Sequence, residues 1–169
     1  MKISMYQASA PRFANALRNL SAILDKAQAH AEAKKLDPAV LGSLRLIADM
    51  FPFARQVQIA CDTAKGAVAR LAGAEIPKHE DTEQTVAELK ARIAKTLDFI
   101  GSVPAAKIDG SEGREIQVPV GPGRTLPFTG EVFLKHFSLP NFFFHCTMTY
   151  ALLRQGGVEL GKMDYLGAP

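Results

Sequence analysis

The segment from Gly130 to Leu153 constrains this chain most, because it is apolar almost all the way round a helix. Val132, Phe133, Leu134, Phe137, Leu139, Phe142, Phe143, Phe144, Met148, Tyr150 and Leu152 leave no continuous polar stripe. A helix of this kind belongs at the centre of a core or beneath another subunit. The rest of the chain, or a second copy of it, must therefore supply faces to cover it. Pro140 lacks an amide donor and crowds the turn before it, so a kink is expected there. Gly156 and Gly157 end the helix.

Other stretches offer such faces. Residues 9–34 place Phe13, Leu17, Leu20, Leu24 and Ala27 on one stripe, with Arg12, Asn19, Lys26 and Gln28 opposite. Ser9 is the expected cap, and Pro11 suits the opening turn. Asp37 before Pro38 reads as the next helix start, with Val40, Leu41, Leu44 and Ile47 facing inward as far as about Ala48. Pro52 breaks that helix. A second piece then runs to about Ala72 with Phe53, Val57, Ala60, Cys61, Ala64 and Val68 inward, and Gly73 stops it. Beyond a linker over 74–80, Asp81 and Gln84 resemble a capping box. From Thr82 to Gly101, Val86, Leu89, Ile93, Leu97 and Ile100 mark another inward stripe, and Glu88 stands four residues from Arg92, close enough to support it.

After Pro104 the period changes from helical to alternating. Ile116, Val118 and Val120 fall on one side, Gly121, Pro122 and Gly123 make a turn, and Leu126 and Phe128 alternate again. Pro119 and Pro127 suit exposed edges. The expected fold class is therefore all-α with a small β-hairpin at about 114–128, a single domain over residues 1–169 built on four long helices.

Composition removes several function classes. The chain has 20 Lys and Arg against 17 Asp and Glu, a net charge of +3, and its basic residues mostly alternate with acidic ones. Nucleic-acid binders gather basic groups into a stripe, so no nucleic-acid partner is expected. No apolar run is long enough to cross a bilayer, and no membrane role is expected. The absence of a secretory leader pattern and two well-separated cysteines, Cys61 and Cys146, suit a reducing, cytoplasmic setting.

None of the zinc-protease, phosphate-loop or dinucleotide-loop patterns is present. The best chemical candidate is on the fourth helix, where Asn141 and His145 are four residues apart and share a face. An imidazole among phenyl rings needs a partner for its nitrogens. The plainer reading is a core histidine bonded to a polar residue of the second helix; the sharper one is a ligand or metal site. Asp49, Arg55, Gln56 and Gln58 lie near the break at Pro52 and are the available partners, with Asp49 also suited to capping the piece beyond Pro52. His136 is nine residues from His145, on the opposite face of a straight helix, although Pro140 intervenes. Asp62 and Lys65 read as a surface pair, His30 and His79 as surface residues, and the two cysteines as small buried apolar groups.

The stretches Asp49-Met-Phe-Pro-Phe-Ala-Arg-Gln-Val-Gln-Ile-Ala and His136-Phe-Ser-Leu-Pro-Asn-Phe-Phe-Phe-His145 resemble a bacterial domain-of-unknown-function branch of the DinB/YfiT-like metalloenzyme superfamily. The resemblance runs from Tyr6 to Gly161. It implies a four-helix bundle that often pairs as a homodimer. It also implies a divalent metal, zinc or nickel, held by one His of the second helix and two from an HxxxH segment of the fourth. Some relatives use that site in thiol transfer. Carried onto this chain, the pattern puts Gln56 at the second-helix position and Asn141 and His145 on the HxxxH segment, so only His145 keeps the ligand type. Asp49, His136 or a partner subunit would have to supply what is missing, and the favoured expectation is that no metal is resident.

Three functions follow as expectations. One is a small-molecule or altered metal site between the second and fourth helices, using Asp49, Gln56, Asn141 and His145. Another is a metal-dependent enzyme resembling the thiol transferases. The third is a non-catalytic structural or interaction module in which the polar cluster is internal glue. A homodimer is expected from the Phe-rich fourth helix.

Overall fold

The computed structural model describes residues 3–37 and 39–167. A one-turn helix α1 (Met5–Ala8) leads into α2 (Ala10–Ala33), followed by α3 (Phe53–Ala72), α4 (Val86–Ser102) and a short α5 (Ala105–Ile108). Strands β1 (Glu115–Pro119) and β2 (Thr125–Thr129) form an antiparallel hairpin. The chain then stays helical through α6 (Gly130–Val132), a π-helical turn (Phe133–Ser138) and α7 (Leu139–Gln155), and a last helix α8 (Lys162–Leu166) follows. The four long helices α2, α3, α4 and α7 make the bundle: α3 packs against both α4 and α7, and α2 against α4. Among the described residues, no helix is long and apolar enough to cross a membrane.

The stripes read from spacing are the buried ones. Phe13, Leu17, Leu20 and Leu24 of α2 meet Phe53, Val57, Ala60 and Ala64 of α3 and Leu89 and Ile93 of α4 in one core. Phe142 of α7 joins them through an edge-on contact with Phe13, ring centroids 4.9 Å apart. Burial of this kind contributes roughly 2 kcal/mol per large side chain. Gly73 ends α3 in the left-handed region, φ 64°, and the guanidinium of Arg114 occupies the place a Cβ would take. In the hairpin Ile116 pairs with Phe128 and Val118 with Leu126; Ile116 and Val118 are buried, while the Phe128 ring packs at a tilt against Phe133 and Phe137 of the π turn.

Several expectations are corrected. The helix expected over 37–48 is instead a run of turns with one 3₁₀ turn at Leu41–Ser43. Asp37 accepts from the Ala39 amide at 2.8 Å, and Pro38 lies outside the described residues. Leu41 and Gly42 are buried, and a Cβ on Gly42 would stand 2.6 Å from the Gln84 carbonyl oxygen. Leu44 also packs against the core as expected, but Leu46 and Ile47 point outward, and Ile47 is 60% exposed. The capping box of α4 is made by Thr85 and Glu88, because Thr85 Oγ1 accepts from the Glu88 amide while Glu88 Oε2 accepts from the Thr85 amide. That engages Glu88 away from Arg92. Ser9 stands at the N-cap of α2, yet its hydroxyl donates back to the Met5 carbonyl at 2.6 Å. The fourth helix is irregular just before Pro140, where the wider π turn absorbs the missing donor. It is also not covered all round: Val132, Phe143 and Phe144 are exposed.

Candidate functional site

The second and fourth helices of the sequence reading are α3 and α7, the pair that packs most extensively. Pro52 supplies no amide and stands at the N-cap of α3, so α3 begins without a side-chain cap. One turn in, Gln56 turns its amide back on this end: Nε2 donates to the Phe51 carbonyl oxygen at 3.1 Å. That orients the amide with Oε1 toward α7, where it meets His145 Nδ1 at 2.6 Å. An amide oxygen only accepts, so the imidazole is the Nδ1–H tautomer. Gln56 is 1% exposed and His145 8%. Burial brings the His145 pKa down to about 4, and the positive charge of Arg55 adds to this, so the ring is neutral at physiological pH.

The second ring nitrogen has a different setting. Among the described residues Nε2 has no hydrogen-bond partner, and it is not sealed from solvent. The Phe144 ring stands edge-on to the imidazole, centroids 5.2 Å apart. Phe144 and Phe51 are themselves 51% and 56% exposed. The imidazole acceptor thus has the Phe144 ring against it and the Arg55 charge within reach.

Asn141 lies one turn before His145 but bonds elsewhere, Nδ2 donating to Thr63 Oγ1 of α3 at 3.1 Å. So α3 and α7 are joined by two neutral polar links. Asp49 and His136, the other residues weighed for this site, are both exposed and join neither link. Asp49 does not cap α3.

A divalent metal does not fit this donor set. Zinc and nickel ask for imidazole, thiolate or carboxylate donors. Here Gln56 Oε1 is engaged by the imidazole N–H, Asn141 is a neutral amide tied to Thr63, and His145 is the one strong donor. Among the described residues, no three His, Cys, Asp or Glu side chains converge. Cys61 and Cys146 are buried; burial pushes the Cys61 thiol up to about 12 and the Cys146 thiol up as well, so both are protonated.

The family model described as a domain of unknown function, DUF1993, matches residues 5–166. The chain belongs to the DUF1993 family. This DUF1993 protein is also similar to a crystal structure, at 1.83 Å resolution, of a DinB family member from Shewanella denitrificans. The two are 47% identical, the match covers 97% of this chain and 92% of that one, and the TM-score is 0.89. The DinB-like bundle expected from the sequence is thereby established. No curated protein matches the chain.

A second polar cluster was missed by sequence reasoning. Arg92 of α4 is 2% exposed, and its guanidinium holds Asp62 of α3 at 2.8 Å, Asp81 at 2.9 Å and Glu83 at 3.0 Å. It also donates to the Glu80 carbonyl at 3.0 Å. Lys65 pairs with Asp62 at 2.7 Å and is itself buried, so that pair is not the surface pair expected. Arg55 bonds Asp81, and Gln58 donates to Glu83 at 3.0 Å. Burial alone would lower the Arg92 pKa, but Glu83 and Asp62 reverse this and hold it above its ordinary value. His79, expected at the surface, is half-buried beside this cluster, and burial and Lys65 lower its pKa. The cluster fastens the linker 74–85 across α3 and α4. Its only sequence signal is the charge density of 78–83 facing an arginine on an otherwise apolar stripe.

Proposed function

We propose that this DinB-like protein binds a small uncharged molecule at the α3–α7 seam without a metal, with His145 Nε2 as the hydrogen-bond acceptor. The observation that carries this reading is the relay from the Phe51 carbonyl through Gln56 to His145 Nδ1, which fixes the tautomer and leaves one lone pair at the surface. The ligand would offer a hydroxyl, amide or thiol donor to Nε2 and an apolar body to Phe51 and Phe144. Arg55 disfavours a cation here. A ring with a pKa near 4 is a weak base at neutral pH, which supports binding over proton-transfer catalysis. The same weakness, with the missing donors, argues against the thiol-transferase reading.

The test is a thermal-shift screen of neutral donor compounds, followed by titration monitored through the ¹⁵N resonances of His145. Saturable binding that moves Nε2 and is lost in His145→Phe is expected. Compounds that leave Nε2 unmoved would reject the site. A second reading, internal glue, is favoured by the deep burial of Gln56; it predicts that Gln56 and His145 variants lose stability and no ligand. Homodimer formation is part of the proposal, supported by the exposed Phe51 and Phe144 rings. Static light scattering at several concentrations should give twice the chain mass, and the monomer mass throughout would reject it.

A further inference from the structure

Phe143 and Cys146 leave α7 on a different flank from Asn141 and His145, and there they face α2 across a cavity of about 200 Å³. Its floor is apolar, formed by Leu20 and Ile23 of α2 with Phe143 and Cys146. The Cys146 thiol, held protonated by burial, belongs to that floor as an apolar group. The rim is different in kind. Arg12, Asn15 and Asn19 follow one another along α2, and Arg12 is the one charged side chain lining the cavity. Among the described residues Arg12 has no acidic partner.

The roof is α8, none of whose residues is buried. Polar contacts hold it in place. Asn19 Nδ2 donates to the Leu166 carbonyl at 2.9 Å and the Tyr165 carbonyl at 3.3 Å. The Tyr165 hydroxyl bonds Thr147 Oγ1 at 3.1 Å, and Lys26 reaches Asp164 at 2.7 Å. The Tyr165 ring adds apolar packing, lying against the core and edge-on to Tyr150 with centroids 6.0 Å apart.

We propose that this cavity is a binding site for a small monocarboxylate with a benzene-sized apolar body, the carboxylate pairing with Arg12 at the rim. Size and charge lead to the same class. An apolar cavity of roughly 150 Å³ accepts benzene, and about 200 Å³ leaves room for one polar substituent. A guanidinium with no acidic partner among the described residues, set beside amide side chains, selects an anion, and the planar fork suits a carboxylate. Neutral arenes form no ion pair with Arg12.

Calorimetric titration of the full chain with benzoate tests this, with benzamide as the uncharged isostere and Arg12→Gln and Ala16→Phe as variants. Ala16 lines the cavity, half-buried, so a phenyl ring there fills it. Benzoate should bind saturably, with benzamide and Arg12→Gln each weakening the affinity by about tenfold. Ala16→Phe should abolish binding. Amide shifts in the wild-type protein should cluster at α2, α7 and α8, a readout that holds even if Ala16→Phe fails to fold. The proposal is overturned by no saturation up to about 10 mM, the weak end for so small a ligand. Equal binding of benzamide, or shifts clustered elsewhere, would also overturn it.

Discussion

The α3–α7 seam and the α3–α4 seam both bury polar groups, but they do so by opposite means. Between α3 and α7 the groups are neutral: Gln56 with His145, Asn141 with Thr63. Between α3 and α4 they are ionic, with Arg92 at the centre of three carboxylates and Lys65 and Arg55 at its edge. A neutral pair can be removed as a pair and leaves nothing behind. An ion cluster cannot lose its centre without leaving an excess of one sign. The first arrangement is therefore free to diverge, while the second ties a linker, two helices and a core position into one unit.

The largest expected effect breaks the ionic side. Arg92→Met keeps most of the buried volume but leaves Asp62, Asp81 and Glu83 with only Lys65 and Arg55 to offset their charge, and should cost about 3 kcal/mol. Urea unfolding would measure it, and a loss below that of an ordinary surface substitution would show that the cluster does not hold the linker. On the neutral side, Gln56→Leu strands the His145 N–H and should cost about 1–3 kcal/mol, while the double variant Gln56→Leu/His145→Phe should recover most of it. A double variant as unstable as the sum of both singles would refute the neutral-pair account.

The difference also explains what the sequence could reveal. Helical spacing alone located α2, α3, α4 and α7, because a stripe such as Phe13, Leu17, Leu20 and Leu24 has only one physical use. The His145–Gln56 pairing was within reach for the same reason: a histidine among phenylalanines needs a partner, and Gln56 is among the polar residues close to the Pro52 break. Arg92 was not legible, because its partners Asp62, Asp81 and Glu83 come together only in three dimensions. Its near neighbour in sequence, Glu88, is engaged in a cap. The stretch after Asp37 fails in another way. Val40, Leu44 and Ile47 have helical spacing, yet a stripe needs a surface to cover it, and Ile47 has none.

Two further effects sharpen the contrast. Thr85→Ala removes the cap where the linker enters α4 and should cost about 1 kcal/mol in thermal melts, well below Arg92→Met if the ion cluster is the main fastening. The pH response of the neutral seam is a separate handle on the same pair. His145 has a folded pKa near 4 against 6.5 when unfolded, so between these values the unfolded chain binds more protons. Stability should accordingly rise with pH from about 4 to about 6.5 and level off above. His145→Phe should flatten that part of the curve in denaturant titrations at stepped pH. An unchanged slope would assign the response to other groups.

Gly73 has a consequence for handedness at one joint of the molecule. Its backbone adopts the geometry natural to a D-residue, and the space an L side chain would need holds the Arg114 guanidinium. An L-alanine there meets both penalties. A D-alanine introduced by chemical synthesis meets neither the torsional one nor, since its methyl points the other way, the collision with Arg114. It also has less freedom to lose than glycine when the chain folds. At this helix end the chain thus uses its achiral residue as the mirror-image one, and a single inverted centre should make the protein more stable than its natural form.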